Sequence, residues 1–201
     1  MPGTSAQRMS RQARHTQLVG VGLQLLETVP FHELSVDDVA ERVGISRSLL
    51  FHYFPTKQAY LTEVVRAAVG TVLELTHLPP SVAPADRPRS FVTALVRYIR
   101  RRRDNYVAVI RSAPSVDPAL GLLIDEMHDM LAARLLVTLG HDDSDDLQLA
   151  SARALVAGIE ELALLAEERR LTTESIVEAC LQAFALISDD RVLKVLEQGH
   201  G

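Results

Sequence analysis

Tryptophan is absent from the 201 residues, and cysteine occurs once, as Cys180. A single thiol excludes an internal disulfide framework and a cysteine-built zinc site, and it suits a reducing compartment. Cys180 lies in an apolar stretch with no Lys, Arg or His within a helical turn, so it reads as a small buried side chain and not as a redox group. No run approaches the ~18 to 20 apolar residues of a membrane span. The polar, basic start from Met1 to Arg14 lacks the apolar segment of ~7 to 15 residues that marks a secretory signal. A cytoplasmic location is the expectation. A repeat of ~20 to 50 residues is also missing, which excludes solenoids and propellers. The sequence shows no nucleophile elbow, phosphate loop or dinucleotide fingerprint. His77, His128 and His141 lack the i, i+4 pairing of a helical metal site. Catalysis, a metal and a cofactor are therefore not expected.

What is present favours helices. Hydrophobic residues make up 47% of the chain and mean hydropathy is +0.10, enough for a sizeable core. Leu, Val, Ala, Glu, Arg and Asp dominate, Gly and Pro are modest and Trp is absent, a bulk composition that favours helices over a sheet-rich fold. The net charge of −5 argues against a protein that coats nucleic acid without preference. It is unevenly placed, however. Up to Lys57 six basic residues meet five acidic ones, and the arm before Leu18 holds Arg8, Arg11 and Arg14 with no acid. Such an arm either follows a phosphate backbone or is a solvated tail.

Apolar residues at Leu18, Val21, Leu25, Leu26 and Val29 predict a first helix over Arg11 to Val29, stopped by Pro30. Ser35 caps a second, with Asp38 in an imperfect capping box and Val36, Val39, Ala40 and Val43 on one face; Gly44 ends it. Ser46 caps a third that closes at Pro55. Two short helices joined by a tight glycine turn form a helix-turn-helix, whose second helix fits a major groove about 12 Å wide. On that helix Ile45, Leu50 and Phe54 face the core. Arg47, Ser48, Phe51 and His52 face outward, offering a guanidinium, a hydroxyl and aromatic edges to base edges and sugars.

The run from Leu34 to Lys57, LSVDDVAERVGISRSLLFHYFPTK, resembles the DNA-binding signature of the TetR family nearly position by position, and the specific motif covers about Arg11 to Val65. The resemblance implies that Ser35 bonds a phosphate from the start of the second helix and Lys57 another from the start of the fourth. It implies that Arg47 and Ser48 approach bases while Phe51, His52 and Tyr53 pack on the backbone and groove wall. Two positions depart from the pattern. Leu49 stands where a small or hydroxylated residue is frequent, and Phe51 where Tyr is commoner, so either the backbone grip is weaker or Tyr53 supplies it. Plainer roles coexist: Ser35 and Ser46 cap helices in any case, Lys57 is also a solvated charge, and Tyr53 is also half core.

Beyond the motif, a fourth helix is predicted from Thr56 to about His77, then a loop over Pro79 to Pro88 with four prolines. Helices follow over about Pro88 to Arg102 and Asn105 to Ser112, then a turn from Pro114 to Pro118 and a helix over Ala119 to Leu139. A polar loop from Gly140 to Asp146, with Ser144 or Asp145 as cap, leads to a helix reaching about Arg169. Another spans Thr173 to Ile187, and a last short one Asp190 to Glu197. The run Arg100 to Arg103 reads as a solvated helix end favoured by the dipole.

The expected architecture is all-α, with about nine to ten helices. Residues 1–56 form an N-terminal arm and three-helix DNA-binding domain, and residues 57–201 a ligand-binding and dimerisation domain. The helices through Leu155, Gly158, Ile159 and Leu162, and through Ile176, Cys180 and Phe184, are apolar on nearly every side and so need cover on two faces. A two-fold dimer would provide it. Tyr98, Tyr106, Met127, His128 and Met130 lie among many aliphatic residues and are candidates for an apolar ligand cavity that the resemblance implies, or else plain core. The expected function is a homodimeric repressor that binds a pseudo-palindromic operator in double-stranded DNA and is released by a small, mainly apolar effector. An activator, an architectural DNA-binding protein and a helical interaction module are the alternatives.

Overall fold

A computed structural model of the chain describes residues 10–141 and 145–187. Arg8 of the basic arm, Ser144 and the expected helix from Asp190 to Glu197 lie outside them. Among the described residues the chain is all-helical: α1 (Arg11–Leu25), α2 (Val36–Val43), α3 (Arg47–Tyr53), α4 (Lys57–Leu75), α5 (Arg87–Arg101), α6 (Arg103–Val116), α7 (Pro118–Thr138), α8 (Asp146–Leu164) and α9 (Thr173–Ile187). They group into two compact units. One holds the residues up to Gly70 together with Asp104–Leu123; the other holds Thr71–Arg103 together with the residues from Ile124 on.

The first unit is built by strong local signals. Ser10, Ser35 and Ser46 each occupy an N-cap in extended backbone, and each Oγ accepts from an amide of the first turn it opens, at 3.1, 3.1 and 3.2 Å. Gly44, at φ 71°, makes the left-handed turn that lets α3 follow α2 at once. Leu18, Leu34, Val39, Leu50, Phe54, Tyr60 and Val64 form its core. Gly22 brings α1 so close to Tyr60 and Val64 of α4 that a Cβ there would overlap both, and the Tyr60 hydroxyl donates to the Leu18 carbonyl at 2.9 Å. Ile45, expected in the core, is only half-buried. This unit reaches past residue 56 because Tyr60 and Val64 complete the core that α1 to α3 leave open.

The second unit centres on α5, whose Phe91, Val92, Leu95, Val96 and Ile99 are fully buried and which packs against α8 and α9. Asp145 opens α8 with a complete capping box: its carboxylate accepts from Gln148, whose side chain accepts from the Asp145 amide.

Three expectations are corrected here. The predicted turn from Pro114 is helical through Val116, because a proline near a helix end forfeits one amide bond while its fixed φ remains helical. Helix α8 ends at Leu164 and not near Arg169; the Arg103 guanidinium takes the Leu164 carbonyl at 3.0 Å, and the chain turns through Arg170 at φ 54°. The arginines from 100 to 103 are engaged, not merely solvated: Arg100 donates to Thr173 at 2.8 Å, Arg102 lies 4.8 Å over the Tyr98 ring, and Arg103 also reaches Glu168.

Candidate nucleic-acid interface

Leu50 and Phe54, one turn apart and both essentially inaccessible, pin α3 to the first unit. A helix of seven residues is too short to hold itself, so this anchoring is what makes it a rigid platform. Phe54 is held in turn, edge-on to Tyr60 at 5.0 Å and 4.6 Å from the His15 ring.

With the buried stripe fixed, the outward face follows from 3.6-residue periodicity. Arg47, Ser48, Leu49 and His52 are exposed, Phe51 and Tyr53 half-buried. Leu49, left unassigned by the sequence pattern, is a 40% exposed leucine in the middle of this face, an apolar surface of the kind that meets thymine methyls. The Arg47 guanidinium is held at 2.7 Å by the Asp37 carboxylate of α2 and lies 5.3 Å over the Phe51 ring. Both ion-pair partners are more than half exposed, so the pair is weak and screened and leaves Arg47 available to a stronger anion. Asp37 is a residue that the sequence reading passed over; its place two residues past the Ser35 cap, opposite the start of α3, was the signal. His52 and Tyr53 meet edge to face at 5.8 Å.

Ser35 and Ser46 have their oxygens committed to capping, which leaves each hydroxyl hydrogen to donate. Lys57 is the exposed first residue of α4, beside Thr56, whose hydroxyl accepts from the Ala59 amide at 3.0 Å. All eight residues proposed for DNA contact thus lie in α3, at the N-caps of α2 and α3, or at the first residue of α4.

The second set of candidates is less coherent. Tyr106 belongs to the first unit and is buried there. In the second unit Tyr98 and Met127 are buried, whereas Met130 is 43% exposed. His128 is mostly buried, its Nε2 lying 3.2 Å from both carboxylate oxygens of Glu160 on α8. That hydrogen bond raises the His128 pKa against the opposing effect of burial. None of these side chains lines the cleft of about 460 Å³ that the second unit carries between the end of α4, the start of α5 and the end of α7. Among the described residues no three His, Cys, Asp or Glu side chains gather as a metal site, and no helix is long and apolar enough to cross a membrane.

On α8 and α9, Ile159, Ile176, Cys180 and Phe184 are buried within the chain itself, Leu155 and Leu162 are half-buried, and Gly158 is exposed. Helices apolar all round give no sign of which face turns inward. The exposed residues include Ser151, Ala154, Ala157, Gly158 and Glu161 on α8 and Ser175, Glu178, Ala179, Gln182 and Ala185 on α9, a surface of small side chains flanked by acids.

Comparison with known proteins agrees with this geometry. Residues 18–64 match the bacterial regulatory proteins of the tetR family. The HTH-type transcriptional regulator EthR of Mycolicibacterium smegmatis is 40% identical over 63 residues, 31% of this chain and 29% of that protein. The EthR of Mycobacterium tuberculosis is 32% identical over 94 residues, 46% of this chain and 44% of its own. The chain thus spans less than half the length of these relatives. A tetR-family transcriptional regulator from Streptomyces coelicolor shares the fold at a TM-score of 0.76 and 22% identity, over 94% of this chain and 89% of its own. A transcriptional regulator from Pseudomonas aeruginosa shares it at 0.68 and 22%, over 90% and 93%.

Proposed function

We propose that this chain, whose residues 18–64 match the bacterial regulatory proteins of the tetR family, is a DNA-binding transcriptional regulator, a repressor that grips a pseudo-palindromic operator as a homodimer. The observation that carries the reading is the outward face of α3: a guanidinium, a hydroxyl, an exposed leucine and an imidazole on a short helix locked to a core by Leu50 and Phe54. Arg47 exchanges its surface pairing with Asp37 for a base edge or phosphate, where a charge-assisted bond is stronger. Ser48 and Leu49 read neighbouring edges, Phe51, His52 and Tyr53 pack on the groove wall, and Ser35, Ser46 and Lys57 fix the backbone register.

Dimerisation follows from the small residues exposed on α8 and α9. Gly158 costs its helix about 1 kcal/mol relative to alanine with no contact to show for it in the single chain, and a close-packed second copy accounts for it, with Leu155 and Leu162 at the margin. Two copies of α3 related by a two-fold axis then read half-sites about one helical turn or more apart. A small effector that prefers a conformation with altered spacing between them weakens operator binding by linkage, with couplings of ~1 to 3 kcal/mol. This action is on DNA in the cytoplasm, and the family and the relatives named above are regulators, not enzymes.

The test is selection from random duplexes at fixed salt, with the Arg47→Ala variant in parallel. A pseudo-palindromic site should be enriched, and the substitution should weaken it by about 1 to 3 kcal/mol per half-site. Failure to enrich any site would overturn the reading.

A further inference from the structure

Several guanidiniums of the second unit hold carboxylates: Arg89 holds Glu174 and Glu178, Arg103 holds Glu168, and Arg153 holds Asp125 and Asp129. Arg100 is half-buried and donates to the Thr173 hydroxyl instead. Arg87 and Arg134 differ from all of these in sharing one cleft. Both are half-buried, both line the cleft of about 460 Å³, and among the described residues neither has a carboxylate within ion-pair distance. Arg134 uses Nη1 alone, donating to the Leu73 carbonyl and, at 3.0 Å, to the Thr76 hydroxyl. Arg87 uses Nε alone, donating to the Val82 carbonyl at 3.2 Å. A guanidinium offers five N–H donors, so the Nε and Nη2 groups of Arg134 and both terminal nitrogens of Arg87 remain for a ligand.

The bonds already made have a clear effect: they tether each guanidinium to carbonyl oxygens, fixing the fork in place before anything binds. Burial acts against the charge of Arg134 and lowers its pKa, with the charge of Glu74 only partly offsetting this, so an incoming anion restores what desolvation has removed. Thr76, His77 and Thr138 add polar groups to the lining, and Leu78, Pro80, Ala133 and Val137 form its apolar walls. A volume of this size lies within the ~300 to 1,000 Å³ range of small-molecule sites. An apolar trough with two preset guanidinium forks and no acid in its lining is complementary to a carboxylate on an apolar body.

We propose that this cleft is a binding site for an organic carboxylate with an apolar tail or ring, its carboxylate taken by Arg87 and Arg134 and its body laid against Leu78, Pro80 and Val137. That the occupant then acts as the effector rests on the regulator reading above. The binding itself does not, and it is measured on the full chain without DNA.

Titration calorimetry with decanoate and phenylbutyrate tests the site, with 1-decanol and decyltrimethylammonium as uncharged and cationic counterparts. At least one carboxylate should bind. Its Kd should rise at least tenfold in Arg87→Gln, whose single bond to Val82 leaves the fold intact on loss, and in Arg134→Gln. The alcohol and the cation should bind at least tenfold more weakly than the carboxylate. Absence of heat with both carboxylates, equal affinity for the alcohol, or an unchanged Kd in a folded Arg87→Gln would each overturn the proposal. None of these results bears on whether α3 enriches an operator, so the two readings fail separately.

Discussion

Replacing Gly22 by alanine probes the close approach on which the DNA-binding unit is built. An added Cβ would fall 2.6 Å from Val64 Cγ2 and 3.1 Å from Tyr60 Cζ, and nearer still to the Tyr60 hydroxyl. Tyr60 cannot step aside, since it is fully buried, its ring abuts Phe54 and its hydroxyl is spent on the Leu18 carbonyl. Overpacking of this kind costs ~1 to 3 kcal/mol, and displacing the phenol forfeits a buried hydrogen bond of ~1 kcal/mol. Alanine returns about 1 kcal/mol as the better helix former. The net expectation is a loss of ~1 to 3 kcal/mol, which at a urea m-value of about 2 kcal/mol/M lowers the midpoint by roughly 1 M.

Gly20, two residues earlier in the same helix, supplies the internal control. It is exposed, and a Cβ there would meet nothing within 4 Å. Gly20→Ala should gain up to about 1 kcal/mol and raise the midpoint by roughly 0.5 M. Adding Tyr60→Phe to Gly22→Ala removes the nearest obstacle but not Val64, so recovery should be partial. Urea titrations followed by circular dichroism measure all four proteins. A Gly22→Ala midpoint at or above that of the unsubstituted chain, with m unchanged, would refute the packing argument.

Asp37→Asn should release Arg47 from its surface pair and remove an acid from the DNA-facing side; a pair of ~0.2 to 1 kcal/mol converts to a ~1.5- to 5-fold gain in operator affinity per half-site, read by fluorescence anisotropy at fixed salt. Asn105 of α6 donates its amide to the Leu26 and Val29 carbonyls beyond the end of α1; Asn105→Asp, which points a charge at two carbonyl oxygens, should therefore lower the urea midpoint more than Asn105→Ala does. The His128 pKa is raised by Glu160, so this pair stabilises fully below the unfolded histidine value of about 6.5 and loses its contribution as pH rises through the folded value; the stability gap between the chain and His128→Gln should narrow as pH climbs, and a gap that widens would sink the assignment. A Cβ added at exposed Gly158 meets nothing within 4 Å in the single chain, so Gly158→Trp should leave the far-UV spectrum unchanged while sedimentation reports monomers; a dimer that survives it places the interface elsewhere.

The amino-terminal unit was legible because its signals are local and mutually consistent. Ser35, Gly44 and Ser46 each admit one backbone role, and Leu50 and Phe54 set the buried side of α3, which fixes the outward side by elimination. The carboxy-terminal helices carry no such orientation. In α8 and α9 nearly every side is apolar, so periodicity located the helices but not their inward face, and Ile159, Ile176, Cys180 and Phe184 proved to be spent on the chain's own core. Pro114 misled for a related reason: a proline ends a helix only where the lost bond is not compensated by the helical turns already formed.

The cleft shows what kind of site a sequence hides. Its lining comes from residues 76–80, Arg87 and residues 133–138, segments that no motif ties together, whereas the tyrosines and methionines first considered have the spacing of core residues and three of them, Tyr98, Tyr106 and Met127, are core. The more telling quantity is the pairing state of charge. A half-buried guanidinium that meets no carboxylate has already lost part of its hydration and has only neutral oxygens in exchange, which costs folding energy. Where neighbouring arginines such as Arg89 and Arg153 are each satisfied twice over, two left incomplete beside the same apolar trough are more economically explained by an anionic ligand than by chance. Arg47 stands between these cases, held by a carboxylate weak enough to be exchanged for a phosphate or a guanine edge. In both places the free chain leaves a cation short of a strong partner at the surface where a second molecule is to supply one.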